Sequence, residues 1–513
     1  MKVSSFKFQV SSWPRTPLVL TTQSERGVYA ASALIGRVIR ESPVADASPP
    51  NTEFGRRSTH CPSCYTGTFK RPEGRAPFNS LILAAALLAC GLTGLRAEDL
   101  FLTGATVHTV SGETLSPGDV LVQDGKIAAL GAKLKPGKAK VIDVSGLHLY
   151  PGLIAASTTL GLVEIGGVRA TRDFQEAGQY TPDVASWVSV NPDSDLLPVA
   201  RANGITHFEP VPTGGTVSGM SGVVALNGWT VEDMAIKHPV ALHLFWPAMR
   251  LTLPATGSGG GATKGKSPDA QAKDRQSKLK AIDDFFEEAK AYAKARQADR
   301  GKPDRDPGPV PAWEAMLPFL RGQIPLTIHA DEVRQIKAAV NWAAAHNYKI
   351  ILAGGRDAWM AASLLATNRV PVIYDNVFTQ PARDTDPYDV HFHAPALLHN
   401  AGVKVIFSEG LDNRGAYNTR NLPYSAAQAV AFGLPAAEAL KGITLYPAQV
   451  LGVADRLGSI EKGKEASFFV ADGDILDLRT GVKRMWISGR EVSLESRHTR
   501  LYEKYQARPA PKQ

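Results

Sequence analysis

The sequence predicts an α/β fold, a (β/α)8 barrel with β-rich segments before and after it. Between residues 150 and 455, short apolar runs rich in β-branched residues alternate with longer stretches of helical periodicity. Such runs are typical of strands that are buried on both faces of a parallel sheet. The alternation favours a closed barrel, although an open parallel sheet would show it as well. The apolar runs are LHLYPGLIAAS, GITHFEPVP, VALHLFW, PLTIHAD, KIILAGG, PVIYD and VKVIFSE.

β-Rich segments flank the predicted barrel on both sides. Residues 98–149 and 456–495 contain short alternating strands that are separated by Gly and Asp turns. Residues 496–513 form a charged C-terminal tail, and residues 254–312 are expected to be a mobile insertion, rich in Gly, Ser and Lys, that carries one helix. The helix has an apolar stripe, so we expect it to pack on the barrel exterior, with a substrate lid as the alternative.

The positive charge of the chain is concentrated at its N-terminus. The sequence has 57 Lys and Arg against 49 Asp and Glu, and 12 of the basic but only 5 of the acidic residues precede residue 98. The rest of the chain is almost neutral, which argues against a nucleic-acid partner. All three cysteines, Cys61, Cys64 and Cys90, also precede residue 98. The predicted barrel therefore has no thiolate ligand, thiol nucleophile or disulfide.

The N-terminal segment is predicted to direct export. Residues 1–77 are rich in Ser, Pro and Arg and are expected to be a disordered leader. Residues 78–97 contain an apolar core after a basic stretch and end in the small residue Ala97, which together make up a secretory signal. An uncleaved anchor is the alternative, and it would be the protein's contact with a membrane. In both cases the barrel is expected to be exported, to the periplasm or the extracellular medium.

Motifs near both ends of the barrel resemble those of the amidohydrolase superfamily. VIDVSGLHLYPGLIAASTTLGL is similar to the superfamily's first barrel strand, and GITLYPAQVLGVADRLGSIEKGKEASFFVADGDILD is similar to its last helix and return strand. The likeness looks closest to an exported branch related to imidazolonepropionase-type enzymes. It implies a TIM (β/α)8 barrel with a small β-sandwich formed by both flanking segments. It also implies a divalent metal, zinc or similar, whose bound hydroxide hydrolyses C–N bonds.

The residues at the expected metal-ligand positions depart from the superfamily pattern. The resemblance places Ser157 and Thr159 where strand one normally carries two His, and an Ala-Gly-Gly sequence where strand six carries another. Hydroxyl groups are weak ligands compared with neutral imidazole, so a degenerate metal site is predicted. His329 is retained after strand five, and Glu409 stands where an Asp normally follows strand eight.

Glu409 and His329 are therefore the predicted catalytic residues, Glu409 to activate a water molecule and His329 to bind one remaining metal ion or polarise a carbonyl. His391 and His393 could replace lost metal ligands if they lie on an extended segment, because alternate residues then face the same way. For Asp331, capping of the next helix is the alternative to a role in the site. The predicted substrate-binding residues are Arg420, Ser157, Thr159 and Asp331.

Two further histidines are expected to be structural, and a glycine-rich segment is expected to lie near the barrel mouth. His207 and His243 fall within predicted strands, where a single His is usually structural. Pro212-Thr213-Gly214-Gly215 and the following GTVSGMSG are expected to form a loop, whose backbone amides could bind a carboxylate.

These features lead to two functional hypotheses. The first is a hydrolase that acts on carbon–nitrogen bonds other than peptide bonds, in a small linear or cyclic amide. The second is a catalytically silent barrel that binds a ligand or a partner, because most of the superfamily's metal ligands are replaced. The fold alone does not decide between them.

Overall fold

The structure, a computed structural model, describes residues 98–252, 266–298, 308–412 and 414–509. The predicted leader (1–77), the signal segment (78–97) and the glycine-rich part of the insertion lie outside these residues. Every described residue belongs to one compact unit. Among the described helices, none has the length and apolar character that a membrane crossing requires.

The strands divide into two sheets. In chain order they are β1 (Leu100–Val107), β2 (Leu115–Gln123), β3 (Lys126–Gly131), β4 (Lys140–Asp143), β5 (His148–Pro151), β6 (Leu153–Thr158), β7 (Ile205–Pro210), β8 (Val217–Ala225), β9 (Ala235–Phe245), β10 (Leu326–Ala330), β11 (Ile350–Gly354), β12 (Val372–Tyr374), β13 (Val405–Phe407), β14 (Phe468–Ala471), β15 (Val482–Ile487) and β16 (Arg490–Val492).

The α-helices lie mainly between the later strands. They are α1 (Leu196–Arg201), α2 (Val231–Met234), α3 (Pro268–Ala298), α4 (Pro311–Leu320), α5 (Val333–Ala345), α6 (Ala362–Thr367), α7 (Val390–Asn400), α8 (Gly415–Asn418), α9 (Leu422–Ala431), α10 (Ala436–Gly442), α11 (Leu445–Val450) and α12 (Arg497–Gln506).

One sheet, which we call the flanking sheet, combines strands from the two ends of the described chain. Its order is β16-β15-β14-β5-β1-β2-β3, with β4 paired to β1. The central pairing joins β5 to β14 in antiparallel register, from Phe468 opposite Pro151 to Ala471 opposite His148. The buried side chains of Leu149, Phe468 and Trp486 belong to its core cluster. Because β5 continues almost directly into β6, this sheet is attached to the first strand of the barrel.

The other sheet, the barrel sheet, has the order β6-β7-β8-β9-β10-β11-β12-β13. The two edge strands approach each other, and the Ser408 hydroxyl after β13 donates a hydrogen bond of 2.8 Å to the Ser157 carbonyl in β6. The predicted barrel is thus confirmed. One strand departs from the expected parallel arrangement, because β8 is antiparallel to both β7 and β9.

The prediction of a glycine-rich loop is wrong, because most of this segment forms strand β8. All nine residues of this strand are buried. Glycine is needed there for close packing, since a Cβ on Gly219 would lie 2.5 Å from the Val184 carbonyl oxygen. Glycine and serine in a sequence normally indicate a turn or loop. Here this local preference is overridden because the chain at Val184, 35 residues before Gly219, packs against the strand.

The helix in the insertion packs on the rest of the chain. The side chains of Ile282, Phe285, Phe286 and Ala289 on α3 are buried. The Phe286 ring lies 5.2 Å from the Trp342 ring on α5, measured between centroids. This part of the insertion is therefore an ordered, packed helix.

Apolar side chains fill the barrel towards the amino ends of its strands. Each of four isoleucines is the second residue of its strand, and together with residues of α11 and the following loop they form one buried cluster. They are Ile154, Ile351, Ile373 and Ile406. Polar side chains are consequently concentrated at the carboxyl ends, where barrel enzymes assemble their active sites.

Candidate active site

Three carboxylates follow three of the last four barrel strands, at the carboxyl end of the barrel. Asp331 follows β10, Asp375 follows β12, and Glu409 comes two residues after β13. Glycines make room for two of them. A Cβ on Gly354 would lie 2.8 Å from Asp331 Oδ1, and a Cβ on Gly410 would lie 3.1 Å from Asp375 Oδ2. Each aspartate therefore reaches towards the end of the next strand.

Burial raises the pKa of two of these carboxyl groups to near neutral pH. Burial, followed by the charges of Asp331 and Glu409, raises the pKa of Asp375 to about 8. Burial raises the pKa of Glu409 to about 7, although the Ser425 hydroxyl donates a hydrogen bond of 2.5 Å to Glu409 Oε1 and favours the charged form. Because the charge of Glu409 contributes to the raised pKa of Asp375, the two groups interact, and near neutral pH one of them can hold a proton while the other is ionised.

A second polar group, which we call the buried relay, runs through the barrel interior from Glu209 to His329. Glu209 is fully buried on β7 and accepts hydrogen bonds from the Ser221 hydroxyl at 2.7 Å and from the Ser157 backbone N–H at 3.0 Å. Its Oε1 lies 3.7 Å from Nε2 of His243 on β9, a close approach without a hydrogen bond, and that buried nitrogen has no hydrogen-bond partner among the described residues. Nδ1 of His243 shares a hydrogen bond of 3.0 Å with Nε2 of His329 on β10.

The relay holds His329 in one orientation at the barrel mouth. The Phe245 ring stacks on His329 at 4.1 Å between centroids, and His243 fixes the Nε2 side of the imidazole. Burial lowers the pKa of His329 to about 3 and lowers that of His243 as well, the latter helped by its neighbour His329. Both rings are therefore neutral at physiological pH.

We expect His329 to stay neutral when the protein is acidified from pH 7 to pH 5, because burial opposes its protonation. Imidazole ¹⁵N shifts of protein labelled at histidine, assigned by comparison with His329→Gln, report the protonation state directly. A titration midpoint near the ordinary histidine value of about 6.5 would show that the ring is solvated and not part of a buried relay.

Ser157 and Thr159, the predicted replacements of the strand-one ligands, are engaged in hydrogen bonds within the protein. The Ser157 backbone has a positive φ of 51°, which directs its N–H to Glu209. The Thr159 hydroxyl is fully buried and donates to the Asp412 carbonyl at 3.4 Å. These contacts, which involve the backbone of Ser157 and the hydroxyl of Thr159, link β6 to its neighbours.

The extended segment predicted for His391 and His393 is wrong, because both lie on α7. Residues two apart on a helix point about 200° apart in projection, so the two imidazoles cannot face the same site. His391 Nδ1 shares a hydrogen bond of 2.9 Å with the Tyr374 hydroxyl, and His393 Nδ1 donates to the Phe432 carbonyl at 3.1 Å. The two histidines serve different contacts.

Of the predicted substrate-binding residues Arg420 and Asp331, only Asp331 lies at the barrel mouth. Arg420 lies on the short 3-10 helix Thr419–Asn421 and donates a hydrogen bond of 2.9 Å to Nδ1 of His498 on α12, which directs its side chain towards the C-terminal helix. Asp331 stays at the barrel mouth and accepts a hydrogen bond of 3.3 Å from the Arg356 backbone N–H. At the start of α5 the Gln335 side chain accepts hydrogen bonds from the backbone N–H groups of Asp331 and Glu332, and Glu332 is the N-cap residue.

The donor set does not fit the metal centre that the resemblance implies. Within the described residues, no group of three or more His, Cys, Asp and Glu side chains is arranged to hold a metal ion. The strand-one positions are hydroxyl residues, strand six ends in Ala353 and Gly354, and Nε2 of His329 is already bonded to His243. Zinc sites require at least three protein ligands. We therefore assign no step of the reaction to a metal.

Sequence reasoning placed His329, Asp331 and Glu409 at the carboxyl ends of barrel strands, where the structure also has them, but it missed the residues that surround them. Asp375 and Glu209 were not considered, and His243 was expected to be merely structural. A usable signal was present, since Asp375 ends the run PVIYD and Glu209 lies near the end of GITHFEPVP. A carboxylate at the end of a buried barrel strand is a candidate site residue whatever family pattern it matches.

Comparison with known proteins agrees with this fold. The amidohydrolase family profile matches residues 325–492. An amidohydrolase of Hapsidospora irregularis, tasK, is 24% identical over 411 residues, which cover 72% of this chain but only 39% of that protein. The D-hydantoinase of Geobacillus stearothermophilus is 38% identical over 66 residues, covering 13% of this chain and 14% of the relative.

A solved structure extends the likeness to the whole barrel and the flanking sheet. The amidohydrolase from Thermotoga maritima superposes with a TM-score of 0.66 and 25% identity, covering 77% of this chain and 99% of the other. Its agreement in fold, together with the matched profile and the relatives, extends well beyond the motifs at the two ends of the barrel. The chain belongs to the amidohydrolase superfamily.

Proposed function

We propose that the protein hydrolyses a C–N bond of a small linear or cyclic amide, with Asp375 and Glu409 as its acid and base. The observation that carries the proposal is the presence of two carboxyl groups at the barrel mouth, Asp375 and Glu409, whose pKa values are raised to about 8 and about 7. Carboxyl groups tuned towards the working pH are suited to general acid–base catalysis. The D-hydantoinase match supports C–N chemistry.

The reaction needs one carboxyl group in each protonation state. The ionised member removes a proton from a water molecule, whose oxygen forms a bond to the amide carbon. The protonated member gives its proton to the leaving nitrogen as the C–N bond breaks, and the two groups have then exchanged roles. Repulsion between the two carboxylates favours this singly protonated state over the doubly ionised one.

His329 is assigned a binding role in this scheme. As a neutral imidazole held by His243 and Phe245, it offers one fixed hydrogen-bonding nitrogen to the substrate. A ring that is already oriented loses little entropy when the substrate binds.

The proposal is tested with a panel of cyclic imides, N-acetyl amines and N-acyl amino acids, with amine or carboxylate release as the readout. We expect turnover of at least one class that persists in the presence of a chelator, and a loss of about 10²–10⁴-fold in Glu409→Gln. Glu287→Gln is the matched control, because Glu287 is exposed on α3 and pairs with Lys290. Turnover that is unchanged in Glu409→Gln would overturn the assignment.

A ligand-binding barrel without turnover is the second candidate, and the unsuited donor set favours it. In that case panel compounds raise the melting temperature of the protein and are recovered intact. Recovery of every stabilising compound without product would decide for binding alone.

We also propose that the protein acts outside the cytoplasm, on the strength of the signal-like composition of residues 78–97. N-terminal sequencing of the mature protein is expected to begin directly after Ala97. A mature chain that retains this segment in the cytoplasmic fraction would contradict export.

A further inference from the structure

A cavity of about 360 Å³ lies at the amino ends of the later barrel strands, opposite the candidate active site. Its walls include the apolar side chains of Ile350, Leu365, Val370, Val403 and Val450. This volume lies within the range of small-molecule sites. Nothing in the proposed reaction uses this end of the barrel.

Three basic side chains, Lys349, Arg369 and Lys404, also line the cavity. Within the described part of the chain, none of them forms an ion pair with a carboxylate. Lys404 instead donates a hydrogen bond of 2.6 Å to the neutral amide oxygen of Gln449. Three cations around an apolar cavity, without acidic partners, create a positive potential that a bound anion would neutralise.

The nearest carboxylate to Lys404 is fully engaged elsewhere. Glu438 accepts hydrogen bonds from Lys441 Nζ at 2.8 Å and from the Tyr446 hydroxyl at 2.5 Å. Lys404 also lies 4.9 Å above the Tyr446 ring. Burial lowers the pKa of Lys404, and Glu438 only partly offsets this. A ligand anion would supply the counter-charge that the protein does not.

The backbone of Arg369 has a positive φ, which is unusual for an arginine. Helices α5, α6 and α7 end in the same way, with a residue of positive φ two positions after the helix: Asn347 (55°), Arg369 (54°) and Gly402 (88°). In each case the next residue donates to a carbonyl within the helix, as Val370 does to Leu365 at 2.9 Å. Glycine and asparagine are the usual residues at this position of a helix end, and arginine is not.

Interaction with the helix dipoles does not account for all three cations. The dipole acts on charges within the last helical turn, whereas Lys349 and Lys404 each lie four residues beyond the last residue of α5 and α7. The helix dipoles also give no reason for the apolar side chains that line the cavity between the three cations.

We propose that this cavity binds an organic carboxylate with an apolar body. The carboxylate lies against Arg369, Lys349 and Lys404, and the apolar body fills the space beside Leu365 and Val370. An arginine can hold a carboxylate through two parallel hydrogen bonds, which a lysine cannot. The proposal is independent of the chemistry at the carboxyl end of the barrel.

The test uses octanoate as the probe, titrated into the full chain by calorimetry. We expect binding with a dissociation constant of about 1 mM or below, and weakening by about tenfold or more in Arg369→Gly. The same variant removes the backbone strain, so its melting temperature without ligand stays equal to or above that of the unmodified protein. If Arg369 had only a structural role, Arg369→Gly would not weaken octanoate binding while leaving the melting temperature unchanged.

Asn347→Gly is the matched control, because it makes the same backbone change at the neighbouring helix end without removing a charge. Ala366→Phe fills the cavity and leaves all three cations in place, and it is expected to abolish binding. Octanol and inorganic phosphate, which carry only the apolar or only the anionic half of the probe, are expected to bind more weakly. Wild-type affinity in Arg369→Gly or Ala366→Phe, or phosphate binding as tight as octanoate, would overturn the proposal.

Discussion

Asp375→Asn is expected to lower kcat/KM for amide hydrolysis by about 10²–10⁴-fold, the usual contribution of a general acid or base. The amide keeps the size of the side chain, and it can still contact Asn376, but it can neither accept nor release a proton. Because the proton and the charge are shared between two groups, loss of either group removes both states that the reaction needs.

The pH dependence of the rate separates this role from a structural one. In the unmodified protein one carboxyl group must be ionised and the other protonated, so kcat/KM should rise and then fall with pH, with both limbs near neutrality. In Asp375→Asn only Glu409 still titrates, so any residual activity should keep a single limb. Asp284→Asn, on the exposed surface of α3 where Asp284 pairs with Lys280, is the control. A two-limbed profile with an unchanged rate in Asp375→Asn would remove Asp375 from the mechanism.

Glu209→Ala is expected to lower the free energy of unfolding by about 3–5 kcal/mol, since it leaves two buried donors without an acceptor and opens a cavity. The donors are the Ser221 hydroxyl and the Ser157 backbone N–H. Glu209→Gln should cost far less. Its carbonyl oxygen can still accept from Ser157, and its amide can donate to the Ser221 hydroxyl. Denaturant unfolding of the three proteins at pH 5 gives the comparison.

The same pair of variants tests the ionisation of Glu209. Burial raises the pKa of Glu209 to about 7, from 4.5, so the folded state keeps a proton that the unfolded state has already lost. Between these two values the folded state binds more protons, and its stability therefore falls as the pH rises through this range. We expect the unmodified protein to lose about 2 kcal/mol between pH 5 and pH 8 relative to Glu209→Gln. A difference that does not change with pH would show that Glu209 is charged at pH 5.

The histidine pattern shows why local sequence gave a wrong prediction for part of the site. In HFHAPALLHN the two histidines alternate as in a strand, but the segment forms α7, where Ala394, Pro395, Ala396 and Leu398 are buried. Only His391 and His393, with one residue between them, made up the alternating pattern. This is too short to distinguish a strand from a helix. Likewise the serines and glycines of β8 favour a loop locally and become a buried strand because the neighbouring chain packs against them.

The sequence by itself determined the order of strands and helices and placed His329, Asp331 and Glu409 at the ends of barrel strands. Apolar runs and the residues that end them are local properties, and they follow from the strand and helix periods alone. Only the tertiary structure showed that Asp375 lies beside Gly410 and that Glu209 reaches His329 through His243. The strength of a charge or a hydrogen bond depends on burial and on distances between groups far apart in the chain, and no local pattern encodes them.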